Sequence, residues 1–269
     1  MYQQPQYGQA PIVQPLPASY LDDYRSVRTR ALVVLVLFAL LVLVKLLVFG
    51  SAAMENDLLH KILGGVEIDQ QTLKNNDVRE ALVNGLDGLM YLATSTTFLF
   101  WTYRAYRNLM AIAADAPETT AGFAVGSFFI PILNLFRPRK VFQEMWAKSD
   151  PDVSFARPVI TMPSNSDSST LINVWWVFWI ISNLFGNVGA YGTTHKTARD
   201  LIAANNVVLA GTLIVIPAAV LAMAVVWEIT KRQEARFAAL QASHVPQPGS
   251  SPQPGYGAST FPSTYTPLG

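Results

Sequence analysis

Four apolar stretches of about membrane-spanning length alternate with polar segments along the chain. They cover residues 31–49, 84–103, 171–191 and 207–227. An α-helix needs about 20 apolar residues to cross the roughly 30 Å hydrocarbon core of a bilayer. The pattern therefore predicts an all-α membrane protein with four transmembrane helices, in a helical membrane domain at residues 25–240.

A fifth apolar stretch, at residues 122–135, is too short to cross a bilayer. In a helix, its residues would extend only about 21 Å. Arg104 and Arg107 precede it and Arg137 follows it. Because cations lie before and after it, we expect a short re-entrant segment that dips into the inner leaflet, or an interfacial segment that lies along it, with Pro131 breaking the helix near its far end.

The next segment, residues 138–148, has the spacing of an amphipathic helix. Its apolar side chains recur on one face, while Gln143, Glu144 and Lys148 fall on other faces. The apolar face consists of Val141, Phe142, Met145 and Trp146. This pattern predicts an interfacial helix at the membrane surface.

The basic residues predict the orientation of the chain. If both termini are cytoplasmic and residues 122–135 do not cross, most of the 19 lysines and arginines lie on the inner side, as the positive-inside rule requires. An odd number of crossings would place a basic cluster outside. The first stretch is also longer than the about 7 to 15 apolar residues of a signal peptide, which favours an uncleaved anchor. We predict a multi-pass protein of the cell membrane with both termini cytoplasmic.

Both ends of the chain, residues 1–24 and 241–269, are rich in Pro, Gln, Gly, Ser and Tyr. Such segments bury too little apolar surface to offset the entropy of ordering. We predict disordered cytoplasmic tails. Their Pro-Gln and Tyr-Gly repeats leave a second interpretation open, in which the tails dock partner proteins.

Composition supports the membrane class and argues against several chemistries. Hydrophobic residues make up 51% of the chain and charged residues 14%, against about 25% charged in soluble proteins. The near balance of 19 basic and 18 acidic residues argues against nucleic acid as a partner. Cysteine is absent, which excludes disulfides and thiolate chemistry.

Catalytic and metal-binding signatures are also missing from the sequence. It has no His-Glu-x-x-His, no Gly-x-Ser-x-Gly and no phosphate-binding loop, and His60, His195 and His244 lie far apart. We therefore expect no metal, no cofactor and no enzymatic activity.

Lys45 and Asp87 are charged residues inside predicted spans. At 1.5 Å per residue they lie about 21 Å and 24 Å from the inner ends of their helices, so they share a depth and can pair. An intramembrane charge pair is typical of a proton or cation relay. In the simpler interpretation, Lys45 extends to the outer interface and Asp87 caps the outer turn.

The third span carries small and amide side chains on adjacent stripes. They are Ser182, Gly186, Ala190, Asn183 and Asn187. Small residues allow close approach of helices, and amides bond across such contacts, so the stripe predicts a helix-packing seam rather than a substrate stripe. The seam is either internal or joins two copies in a homo-oligomer.

Five basic residues flank the short run and form the candidate lipid site. They are Arg104, Arg107, Arg137, Arg139 and Lys140. If the two groups converge at the inner surface, they bind an anionic lipid head group. The alternative is ordinary positive-inside anchoring without a specific ligand.

Five ordered motifs carry a family resemblance. They are FLFWTYRAYRNL at 98–109, FAVG with FIP at 123–131, NLFRP at 134–138, MWAKSDP at 145–151 and WWVFW at 175–179. Over about residues 27–227, the chain resembles the bacterial membrane family catalogued as domain of unknown function 4328. It departs from the pattern at Ser127 and at Arg139 and Lys140. The resemblance implies a multi-helix bacterial membrane domain with no assigned activity.

Two classes of function fit these observations. The first is a non-catalytic module that binds membrane lipids or partner proteins at the inner face of a bacterial plasma membrane. The second is a transporter of a small solute or protons that uses Lys45, Asp87 and the Asn183 stripe. No internal repeat is visible, and few polar groups lie near the predicted midplane, which favours the first class.

Overall fold

The computed structural model describes residues 21–113, 116–151, 169–191 and 197–244, and within these ranges the protein is all-helical, without a β-strand. Its helices are α1 Arg28–Leu63, α2 Gln70–Ile112, α3 Ala121–Gly126, α4 Pro131–Asn134, α5 Arg137–Lys148, α6 Thr170–Tyr191 and α7 Ala198–His244. Residues 1–20 and 245–269 lie outside the described part, so the disorder of the tails stays a prediction.

The four long helices pack side by side in the order α2, α1, α7, α6. α1 and α2 form an antiparallel hairpin whose turn contains Gly65 in the left-handed region, at φ 80°. The Asp69 side chain caps α2 by accepting a bond from the Thr72 N–H at 2.9 Å. We call this turn the hairpin end of the bundle and the opposite end, where α1 begins at Arg28, the arginine end.

The short helices α3, α4 and α5 fill the space between α2 and α6 at the arginine end. α5 is a packed member of the bundle, since Phe142 is fully buried and its ring lies 5.7 Å from Phe98 on α2 and 4.9 Å from Trp175 on α6. The predicted apolar face of α5 is therefore covered by helices along Val141, Phe142 and Met145.

The short apolar run consists of two helical turns, α3 and α4, joined by residues 127–130. The expectation for Pro131 was wrong, because this proline begins α4 instead of breaking a helix. Proline lacks an N–H and has a fixed φ, which suits the first turn of a helix. Thr120 caps α3 by accepting a bond from the Phe123 N–H.

All four predicted spans lie within long helices of the bundle. By length and composition, α1 and the Ala198–Ser243 part of α7 are able to cross a membrane, and Thr170–Phe185 is a shorter apolar helix. α2 is more polar, but Thr97 and Thr102 donate their hydroxyls to carbonyls of their own helix. Such internal bonds satisfy hydroxyl groups without water.

A buried polar network joins α2 and α7 at the arginine end. The Gln233 side chain donates to the Ala105 carbonyl at 2.8 Å and accepts from Asn108 at 3.3 Å. Arg236, also buried, donates to the carbonyls of Ile112 and Asp150. Arg236 therefore holds the bundle together and is not a surface anchor.

A second polar contact attaches α5 to α2. The Tyr106 hydroxyl donates to the Glu144 carboxylate at 2.5 Å and accepts from the Thr119 N–H, while Glu144 also accepts from the Glu118 N–H. Burial raises the pKa of the Tyr106 hydroxyl above its ordinary value, and the hydrogen bond and charge of Glu144 raise it further.

The raised pKa predicts a loss of stability at alkaline pH. A tyrosine in the unfolded chain ionises at pH about 10, whereas Tyr106 in the folded protein keeps its proton to higher pH. The contact of the protonated Tyr106 hydroxyl with Glu144 therefore contributes fully to folding stability below pH about 10. This contribution is lost as the pH rises through the pKa of Tyr106 in the folded protein. We expect the melting temperature of the protein to fall more steeply above pH 10 than that of Tyr106→Phe. Parallel curves for the two proteins would contradict this role.

Candidate functional site

The first group of cations is the arginine group, Arg25, Arg30, Arg104 and Arg107, at the arginine ends of α1 and α2. Arg104 donates from Nη2 to the Asp23 carbonyl at 2.8 Å, and its buried Nε has no partner among the described residues. Burial lowers the pKa of Arg104, and so do the charges of Arg107, Arg30 and Arg25. An anion bound here would relieve that repulsion.

The second group is the basic collar, Arg137, Arg139 and Lys140, in the first turn of α5. Arg139 donates from Nε to the Asn173 side chain on α6 at 2.8 Å, and the Arg137 guanidinium lies 5.4 Å from the Phe123 ring centroid. Arg139 and Lys140 are exposed. The collar contacts α3 and α6, while the arginine group contacts the start of the described chain. Convergence of the two predicted halves on one lipid head group stays a prediction.

The short run itself forms an exposed apolar surface beside the collar. Phe129 is 71% exposed and Ile132 is 75% exposed, whereas Ala124 and Ser127 are buried against the bundle. The other exposed large side chains of this surface are Phe123, Ile130, Leu135 and Phe136. The short apolar pattern of this run did not reveal that its largest side chains face outward.

The structure brings Lys45 and Asp87 together. Lys45 Nζ lies 2.9 Å from Asp87 Oδ2, and the side chains are 17% and 22% exposed. The second carboxylate oxygen, Oδ1, is buried and has no partner among the described residues. The pair joins α1 to α2 in the hairpin half of the bundle.

Lys45 also lines a central cavity of about 510 Å³ between the four long helices. Phe128, Phe129 and Asn134 of the α3–α4 region line it from the arginine end. The remaining space is bounded by apolar and small side chains, including Ala218, Ala219 and Ala222 of α7. The sequence did not reveal this cavity, because side-chain size does not show whether a helix or a void lies opposite.

Only part of the predicted seam on α6 lies in the described structure. Ser182 and Asn183 line the cavity and donate to the Trp179 carbonyl of their own helix, at 2.8 and 2.7 Å. For Gly186, Asn187 and Ala190 the structure describes the helical backbone only, so their packing lies outside the described part. The seam as a whole stays a prediction.

Among the described residues, no group of three or more His, Asp or Glu side chains is arranged to hold a metal ion.

Comparison with known proteins gives one match. The family model described as domain of unknown function (DUF4328) matches residues 65–231, a range that contains the short run, the collar and all of α6. No curated protein and no solved structure matches the chain.

Proposed function

We propose that this chain, which belongs to the family described as domain of unknown function (DUF4328), is a non-catalytic, multi-pass integral membrane protein. In this proposal α1, α2, α6 and α7 cross the bilayer, and the arginine end faces the cytoplasm. The short run and the collar then bind anionic lipid at the inner face of the membrane.

The observation that carries this proposal is an exposed apolar belt around the bundle. Large apolar side chains are exposed along residues 32–47 of α1, 86–100 of α2, 174–184 of α6 and 208–220 of α7. Each stretch is about 15 to 23 Å long at 1.5 Å per residue, which fits within a hydrocarbon core of about 30 Å. Soluble monomers rarely expose continuous apolar surfaces of this extent.

The cations at the arginine end support its assignment to the cytoplasm. The arginine group and the collar both lie there, and positive residues favour the inner side of the membrane. Four crossings with the short run on the inner side also place both termini in the cytoplasm. The run then inserts its exposed Phe129 and Ile132 among lipid chains, beside cations that face the head groups.

Charge reversal in the collar tests the lipid proposal. Each cation near an anionic membrane surface contributes about 1 kcal/mol to lipid binding. The double variant Arg139→Glu with Lys140→Glu should therefore weaken phosphatidylglycerol binding by about 30-fold or more. Native mass spectrometry of the purified protein, titrated with phosphatidylglycerol and separately with phosphatidylcholine, measures this affinity.

A matched control reverses two exposed lysines at the hairpin end, Lys61→Glu with Lys74→Glu. It alters the net charge equally and should leave phosphatidylglycerol affinity unchanged. Equal losses in the two variants would show that only net charge matters, and an unchanged collar variant would contradict the site.

The Lys45–Asp87 pair favours a second candidate function, transport of protons or a small cation through the bundle. The pair lies beside the cavity, and ionisable groups within a membrane mark such pathways. Proton flux into reconstituted vesicles that disappears in Asp87→Asn would establish this function. Flux equal to that of empty vesicles would exclude it for protons.

A further inference from the structure

The central cavity extends along the middle of the bundle. Its lining includes Phe38 to Lys45 on α1 and Tyr91 to Leu99 on α2. It also includes Trp175 to Asn183 on α6 and Val215 to Ala222 on α7. At 1.5 Å per residue these stretches are all about 10 to 12 Å long, so the cavity has a consistent height on every side. Its volume of about 510 Å³ is in the range of small-molecule sites.

The cavity is bounded on one side by two helices whose backbones stay apart. Within the described residues, α2 and α6 meet through side chains, where the Phe98 ring lies 6.3 Å from the Trp175 ring. The short helices α3, α4 and α5 lie between them at the arginine end. In a membrane, the gap above these short helices faces lipid. A ligand that partitions into the bilayer therefore has a route into the cavity from the side.

The charges at the other end of the cavity favour an uncharged ligand. Lys45 lines the cavity, but its ammonium is already neutralised by Asp87 at 2.9 Å. The remaining walls are dominated by aromatic rings and alanines, including Phe98, Phe128 and Ala219. These walls match a hydrocarbon chain.

We propose that the central cavity binds a neutral, single-chain lipid, such as a monoacylglycerol or a long-chain alcohol. The chain lies against the apolar walls. This site is separate from the collar; it rests on the proposed membrane placement but not on anionic-lipid binding.

The test is a titration of the purified full-length protein in neutral detergent with monooleoylglycerol, followed by native mass spectrometry. We expect one bound molecule per chain. Ala219→Phe fills the cavity and should reduce the affinity at least ten-fold. The adjacent Val220, at the same depth on α7, is exposed, so Val220→Phe is the matched control and should bind like the wild type.

Two results would overturn the proposal. One is no stoichiometric binding by the wild type, which would mean that water alone fills the cavity. The other is binding by Ala219→Phe with wild-type affinity. The collar variant Arg139→Glu with Lys140→Glu should still bind monooleoylglycerol normally, so failure of the anionic-lipid site and failure of the cavity site are distinguishable.

Discussion

Replacing Phe142 with alanine is expected to lower the free energy of unfolding by about 3–5 kcal/mol, the usual cost of removing a buried aromatic ring. Phe142 is 0% exposed and contacts Phe98, Trp101 and Trp175. Its loss leaves a void where α5 joins α2 and α6. Equilibrium unfolding in detergent, followed by near-ultraviolet circular dichroism, measures the change.

Phe100→Ala is the matched control for Phe142. Phe100 is 67% exposed on α2, so its removal creates no internal void. We expect a change within about 0.5 kcal/mol for such a surface position. Similar losses for the two variants would mean that α5 is not packed into the bundle.

Asp87→Ala is expected to lower the free energy of unfolding by about 2–3 kcal/mol, because it leaves the Lys45 ammonium without its partner in a largely apolar environment. This value is below the full cost of breaking a buried pair, since both side chains keep some exposure. Lys45→Ala should have a similar effect. Unfolding in detergent of the wild type, both single variants and the double variant measures the coupling.

The double variant decides whether the two residues act as a pair. If Lys45 and Asp87 are coupled, Lys45→Ala with Asp87→Ala should cost at least about 1 kcal/mol less than the sum of the single variants. The exposed pair Lys61 and Asp57 is the control, for which coupling of about 0.5 kcal/mol or less is expected. Strictly additive losses at Lys45 and Asp87 would contradict direct coupling.

Helix positions and the meeting of Lys45 with Asp87 follow from regular local rules. Apolar stretches predicted the positions of four long helices, although α1, α2 and α7 extend well beyond the predicted spans. A fixed rise per residue makes depth calculable along a helix. Because a short turn joins α1 to α2, two residues at equal depth on these helices become neighbours.

Contacts between distant segments were not predictable in the same way. The pattern placed Glu144 on a polar face of α5, but its carboxylate accepts the Tyr106 hydroxyl of α2. Arg236 follows the last predicted span, where the positive-inside rule expects a cation at the membrane surface, but it is buried and binds the carbonyls of Ile112 and Asp150. An amphipathic pattern separates polar from apolar faces, but it does not reveal whether water or another helix covers the polar face.

The candidate site depended on the same missing information. Convergence of Arg104 and Arg137 on one lipid head group across the short run stays a prediction. In the structure Arg104 donates a hydrogen bond to the Asp23 carbonyl, whereas the Arg137 guanidinium lies over the Phe123 ring. The packing order of the helices decides which cations share a surface, and spacing along the chain does not contain that order.

Cysteine labelling in intact cells tests the proposed four-crossing arrangement most directly, because the chain has no cysteine of its own. Single cysteines are introduced at five exposed positions and treated with a membrane-impermeant maleimide. The positions are Asp22, Glu67, Lys140, Arg199 and Ala239. Four crossings predict that Glu67→Cys and Arg199→Cys react in intact cells, while the other three react only after the membrane is opened. Reaction of Lys140→Cys in intact cells would contradict the arrangement, because it would place the collar outside.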